Sequence, residues 1–230
     1  TEDRSEVTIG PHWENLLAFD ALGGSLVAGG WNGVIRVFDA ATGEEQQHLL
    51  KAGDNLTALA ASPAGQSVAV GTRNGHTVEV WDLASGRQRT ILKGHRDSVI
   101  AVDFDITGKR VASGSRDGTV RVWDYQAERE LRKFTVGSVV RDIDFSPNGE
   151  RLASAAEDGT MKVWNLATGH EVAEFHYNGV PWSARFSPDG SRVAAGGVDN
   201  LVRIWDVSTG KAVGVLRGHR GQVRAIAYSP

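Results

Sequence analysis

Residues 94–124 read GHRDSVIAVDFDITGKRVASGSRDGTVRVWD, and most of the remaining chain repeats them imperfectly. Apolar residues alternate up to Val102 and Phe104, a turn follows at Gly108, a second run covers 111–114, Asp117-Gly118 makes a tight turn, and a third run ends at Trp123. Period-two alternation broken by Gly and Asp-Gly marks half-buried strands joined by hairpins, so the stretch predicts three consecutive antiparallel strands.

The pattern recurs with a nearly fixed step. The last aromatic of each third run falls at Phe38, Trp81, Trp123, Trp164 and Trp205, at intervals of 43, 42, 41 and 41 residues. The first runs end at Phe19, Ala61, Phe104, Phe145, Phe186 and Tyr228. Each of the first five precedes its aromatic by 19 residues, except Ala61, which precedes Trp81 by 20 because Asn74-Gly75-His76 adds one residue to the turn. A period of about 40 residues signals a stack of like supersecondary units. The repeats run 11–50, 51–92, 93–134, 135–175 and 176–216, and 217–230 begins a sixth copy. Fourth strands are expected near 46–50, 88–92, 130–134, 171–175 and 212–216, and Asn32-Gly33 suits a type I′ turn with positive φ at both residues.

With 230 residues, 40% of them hydrophobic, the chain can bury a substantial core. Lys and Arg number 25 against 28 Asp and Glu, so no global positive field recruits nucleic acid or an anionic membrane. The absence of cysteine excludes disulfides, thiolate metal sites and cysteine nucleophiles. No apolar run approaches the ~20 residues of a spanning helix, which argues against membrane insertion. The chain opens TEDRSE, without a signal peptide, and reads as an excised segment of a cytoplasmic protein.

The GH pairs (94–95, 218–219), the SPxG turns (62–65, 146–149, 187–190) and the Trp-Asp pairs (81–82, 123–124, 205–206) recur in phase. On these residues nearly the whole chain resembles the WD-repeat family. The resemblance implies an all-β fold, a β-propeller with one four-stranded antiparallel blade per repeat. The expectation is one domain over 1–230, five blades plus the first strand of a sixth, within a ring that closes at about seven blades. Open edges need covering, by further sequence, by another chain or by a second copy completing the ring.

His95, Ser113 and Asp117 in repeat three invite a hydrolase reading. The resemblance implies instead that they join Trp123 in a buried structural tetrad, because Ser113 would lie inside a blade with no oxyanion hole or cleft. Repeat four keeps Ser154, Asp158 and Trp164, with Val136 at the His position; repeat five keeps Asp199 and Trp205, with Tyr177 and Ala195 at the His and Ser positions. No metal site and no cofactor are expected: the seven histidines lack ligand spacing, and Asp103, Asp105, Asp142 and Asp144 alternate along strands without a calcium loop. An enzymatic or cofactor-bearing propeller would need perturbed carboxylates or His ligands near the central channel, and the sequence shows neither. Arg36, Glu79, Arg121, Lys162 and Arg203 form a mostly basic column two residues before each third-run aromatic. Repeat consensus explains it better than nucleic-acid binding.

Three tryptophans, Trp13, Trp31 and Trp182, fall outside the repeat's structural position. In the resembled family the entry-loop face is built from residues four and six before the end of each first strand and from the residue before the hairpin Asp or Asn. Carried over by phase, that face takes Trp13, Asn15 and Trp31; Asn55, Thr57 and Arg73; Ser98, Ile100 and Arg116; Val139, Arg141 and Glu157; Val180, Trp182 and Val198; and Gln222 and Arg224. All three spare tryptophans, with Arg73, Arg116, Arg141 and Arg224, land there. Trp and Arg dominate binding hot spots, so the expectation is a non-catalytic scaffold that docks a protein or peptide on this face. The rival reading is a sensor or regulatory propeller from a larger signalling ATPase or kinase.

Overall fold

A computed structural model describes residues 14–19, 24–30, 32–49 and 55–229. Among them every regular element is a strand, and twenty strands form five four-stranded antiparallel sheets. The first sheet holds β1 (Glu14–Phe19), β2 (Ser25–Gly30), β3 (Ile35–Asp39) and β4 (Glu45–Leu49). The second holds β5 (Leu56–Ala61), β6 (Ser67–Thr72), β7 (Thr77–Asp82) and β8 (Gln88–Lys93). Then come β9 (Val99–Phe104), β10 (Arg110–Ser115), β11 (Thr119–Asp124) and β12 (Arg129–Thr135), followed by β13 (Val140–Phe145), β14 (Arg151–Ala156), β15 (Thr160–Asn165) and β16 (Glu171–His176). The fifth sheet is β17 (Pro181–Phe186), β18 (Arg192–Gly197), β19 (Val202–Asp206) and β20 (Ala212–Leu216). Each is a meander whose strands pair in chain order, and each comes from one sequence repeat.

The core lies between blades rather than within them. Leu92, Val78 and Val80 of the second blade pack with Val99, Val111 and Trp123 of the third, and Phe134 of the third packs with Leu152 and Trp164 of the fourth. The outer-strand aromatic stacks on the next blade's tryptophan: Phe134 on Trp164 at 4.7 Å and Phe175 on Trp205 at 5.6 Å between centroids. The strands are therefore apolar on both faces, as sheets covered on both sides must be. Close approach is set by small residues in the second strands. A Cβ on Gly114 would lie 2.6 Å from Val140 Cγ1, and one on Gly71 would lie 2.6 Å from the Val99 carbonyl.

The turns explain the rest of the repeat. In the SPxG loops the serine carbonyl accepts from the glycine N–H (Gly65 to Ser62, Gly149 to Ser146, Gly190 to Ser187), and each of these glycines has φ near +65°. Asp105 replaces the serine in repeat three, fully buried and accepting from Lys109 and Arg110 N–H. The Asp or Asn after each third-strand aromatic caps the following turn, as Asp39, Asp124, Asn165 and Asp206 do through Oδ1.

Two expectations need correction. At Asn32-Gly33 only Gly33 has positive φ (75°), and its N–H returns to the Gly30 carbonyl. The turn therefore bends with one left-handed residue, while Asn32 Oδ1 accepts from Val34 N–H, and it is not type I′. Residues 222–229 do not form the first strand of a sixth blade. They lie against the fifth, with Val223 N–H on the Gly197 carbonyl and Val223, Ile226 and Tyr228 against Val202 and Ile204. A first strand needs a second strand as its ladder partner, and none pairs with 222–229 among the described residues.

Candidate functional site

A β-bulge recurs at one position of every blade. The register between first and second strands skips one residue after Val140, so that Val140 faces Ala156 while Asp142 faces Ala155. The equivalent skips fall at Thr57, Ile100 and Trp182, and at position 15 in β1. The bulged residues are therefore those four before the end of each first strand. A bulge bends its strand and re-aims its side chain, a device common beside binding sites. The second face position is tied to the third by a backbone bond in four blades: Arg73 to Asn55, Arg116 to Ser98, Glu157 to Val139 and Val198 to Val180, each N–H to carbonyl. The three positions of a blade thus form one patch at the hairpin end.

The seam between the fourth and fifth blades gathers most chemistry. The Arg141 guanidinium lies over the Trp182 ring at 4.9 Å and its NH2 bridges Glu157 at 2.9 Å. Arg141 is largely covered, its side chain 19% exposed, while Glu157 is 42% exposed. Trp182 is half-buried, and its Nε1 and Arg141 Nε are covered and have no acceptor among the described residues. Arg73 and Arg116 occupy the corresponding hairpin positions of the second and third blades, Arg116 exposed, and Arg224 is exposed in the segment after the fifth blade. Trp13 and Trp31 lie outside the described residues. The structure brings Arg141, Trp182 and Glu157 together, and Glu157 is the member whose part the residue types alone did not reveal.

The third blade links its four polar residues. Trp123 Nε1 donates to Ser113 Oγ at 2.9 Å, His95 Nε2 lies 2.7 Å from the same oxygen, and His95 Nδ1 faces Asp117 Oδ2 at 3.1 Å. Burial depresses the imidazole pKa despite the neighbouring Asp117 charge, so the ring is neutral. The ionised Asp117 can only accept, so Nδ1 of the neutral ring carries the proton, and Nε2 accepts from the Ser113 hydroxyl. Burial alone would raise the Asp117 carboxyl, but hydrogen bonds from Thr119, Arg96 N–H and His95 hold it down at about 2. Ser113 is fully buried, so no substrate reaches its hydroxyl.

Elsewhere the network is rebuilt. In the fourth blade Trp164 Nε1 donates to Ser154 Oγ at 3.1 Å, but Asp158 caps Thr160 N–H and stands apart, since Val136 cannot bridge the two. In the fifth, Tyr177 hydroxyl and Arg203 bind Asp199, leaving it without a link to Trp205 because Ala195 offers no hydroxyl. In the second, Trp81 Nε1 donates to Glu79 Oε2 at 3.2 Å, so Glu79 takes the role of the missing serine.

The basic column is spent internally. Arg121 pairs with Glu130 and lies over Trp123, Lys162 pairs with Glu171 and Glu174 over Trp164, and Arg203 pairs with Asp199 over Tyr177. Perturbed carboxylates do occur on the inner strands, contrary to the sequence reading. Asp103 Oδ2 accepts Phe145 N–H at 2.8 Å, Asp144 Oδ2 accepts Phe186 N–H at 2.6 Å, and Asp142 Oδ2 accepts Ala184 N–H at 2.9 Å and Arg185 NH1 at 2.5 Å. Desolvation pushes the Asp103 carboxyl up to about 7 against the pull of Phe145 N–H and Arg185. Asp144 is raised by desolvation and by Asp103. Each carboxylate staples its blade to the next, a structural use the alternating pattern could not reveal. No group of three or more His, Asp or Glu is arranged to hold a metal among the described residues, and no helix there is long and apolar enough to cross a membrane.

Five four-stranded meanders in phase with GH, SPxG and Trp-Asp signals define a β-propeller of the WD-repeat type. Residues 55–230 match the family of the IFT122 first beta-propeller, and over that span, more than half of its length, the chain belongs to this family. No curated protein matches the chain.

Proposed function

We propose that this propeller is a non-catalytic interaction platform that docks a protein or peptide segment across its entry-loop face. The observation that supports the reading is the repeated bulge, at which Arg141 and Trp182 of adjacent blades lie against each other. Aromatic area supplies affinity and arginine supplies directional hydrogen bonds, the combination found at interface hot spots. The family match supports a protein-interaction role. Arg73, Arg116 and Arg224 extend the same face, and we assign Trp13 and Trp31 to it on phase alone. The reading goes with a cytoplasmic protein whose ring, of about seven blades, is completed by another chain, a second copy or further sequence. The test is recovery of partners from a lysate by the wild-type chain and by Trp182→Ala. Loss of specific partners with an unchanged melting temperature supports the reading; identical partners from both overturn it.

A further inference from the structure

The seam between the fourth and fifth blades holds an unresolved account of hydrogen bonds. Arg141 Nε and Trp182 Nε1 are two donors on adjacent bulged residues, both covered and both without an acceptor among the described residues. Leaving a covered donor unpaired is costly, so native structures seldom keep two such donors side by side without a use. The carboxylate of Glu157 meets Arg141 only through NH2, and it does so from an exposed position. Because the Glu157 side of the pair is open to solvent, its carboxylate can exchange with a competing one.

We infer that Glu157 is an internal stand-in for a partner's carboxylate: the segment docked here is acidic, its carboxylate takes the Arg141 guanidinium in place of Glu157, and the departure of Glu157 opens the seam so that Trp182 Nε1, covered in the free protein, donates to an adjacent oxygen of the same segment. This rests on the proposed docking face. Charge complementarity selects the ligand, because Arg73, Arg116 and Arg224 occupy or flank the same face while Glu157 supplies the competing negative charge at the seam. Guanidinium planes recognise carboxylates through paired N–H donors, which an ammonium does not reproduce. Glu157 then weakens binding in the free protein and sets its threshold.

The experiment is selection of binders from a random peptide library displayed on phage, using the whole chain, followed by anisotropy titration of the selected peptides. Enrichment of Asp and Glu is expected. Glu157→Gln is expected to tighten the acidic peptides about threefold to tenfold, while Arg141→Lys and Trp182→Phe weaken them by roughly tenfold, with melting temperatures as controls. Trp182→Phe keeps the stacked ring and removes only the N–H. Selected peptides that are neutral or basic, yet still lost with Trp182→Ala, keep the docking face and overturn the acidic assignment. Acidic peptides that bind Glu157→Gln no better overturn the stand-in role. Binders insensitive to every one of these substitutions, or no binders at all, overturn the inference together with the face.

Discussion

At the scale of residues, the third blade's tetrad and the inner-strand aspartates make opposite electrostatic predictions. Trp123→Phe removes the donor to Ser113 Oγ at near-constant shape and should cost about 1–3 kcal/mol in chemical unfolding. Unchanged stability would contradict the network. Asp103 is the reverse case, because its raised pKa means that the fold favours the neutral carboxyl. Below the unfolded value, near 4, both states are protonated and the group contributes nothing; between about 4 and about 7 only the folded state keeps the proton and stability falls with pH, and above about 7 the loss is complete. Asp103→Asn keeps an acceptor for Phe145 N–H and removes the charge. It should be more stable than the wild type at pH 8, by about 1–2 kcal/mol since water still reaches the inner strands, and equal to it near pH 4. A variant less stable at every pH would contradict the assignment. The tetrad's membership could be read in the sequence because it recurs with Trp-Asp in phase. The aspartate staples could not, because their partners are backbone N–H groups of the following blade, which carry no residue signature.

At the scale of elements, the strand pattern was legible in detail and the bulges were not. Alternating apolar residues, SPxG turns and Asp-Gly hairpins placed each strand to within a residue or two, since these signals are local. A bulge is a relation between two strands, so the same residues read as a continuous strand until their pairing is known. It is the bulge that makes Arg141 and Trp182 neighbours across a separation of 41 residues, and Glu157 joins them only through the hairpin. The turn at Asn32-Gly33 misled because Asn-Gly serves more than one turn type, and the side chain's bond to Val34 decided it. Blade spacing gives the test at this scale. Gly114→Ala places a methyl 2.6 Å from Val140 Cγ1 and should destabilise by about 1–3 kcal/mol. Gly221→Ala meets nothing within 4 Å and should change stability by less than about 0.5 kcal/mol. Equal melting temperatures for the two variants would refute the close inter-blade approach.

At the scale of the molecule, the proposed docking face and the uncovered edge of the fifth blade use different residues. Val213, Val215 and Leu216 are exposed, and a groove of about 290 Å³ beside them is lined by Val202, Ile204, Ile226 and Tyr228. At the position of Leu216 the earlier blades place Leu92, Phe134 and Phe175, which are buried, the last two stacked on the next blade's tryptophan, so the isolated chain should self-associate through the uncovered Leu216 edge, and light scattering should give a mass above the monomer's. A monodisperse monomer would contradict that expectation without touching the entry-loop face. The face itself is tested most directly by hydrogen–deuterium exchange with a bound partner or selected peptide. Protection is expected at 139–142, 156–158, 180–183 and 197–199, strongest at the bulges of the fourth and fifth blades. Protection confined to the opposite turns at 146–149 and 187–190, or to the outer strands β16 and β20, would contradict it.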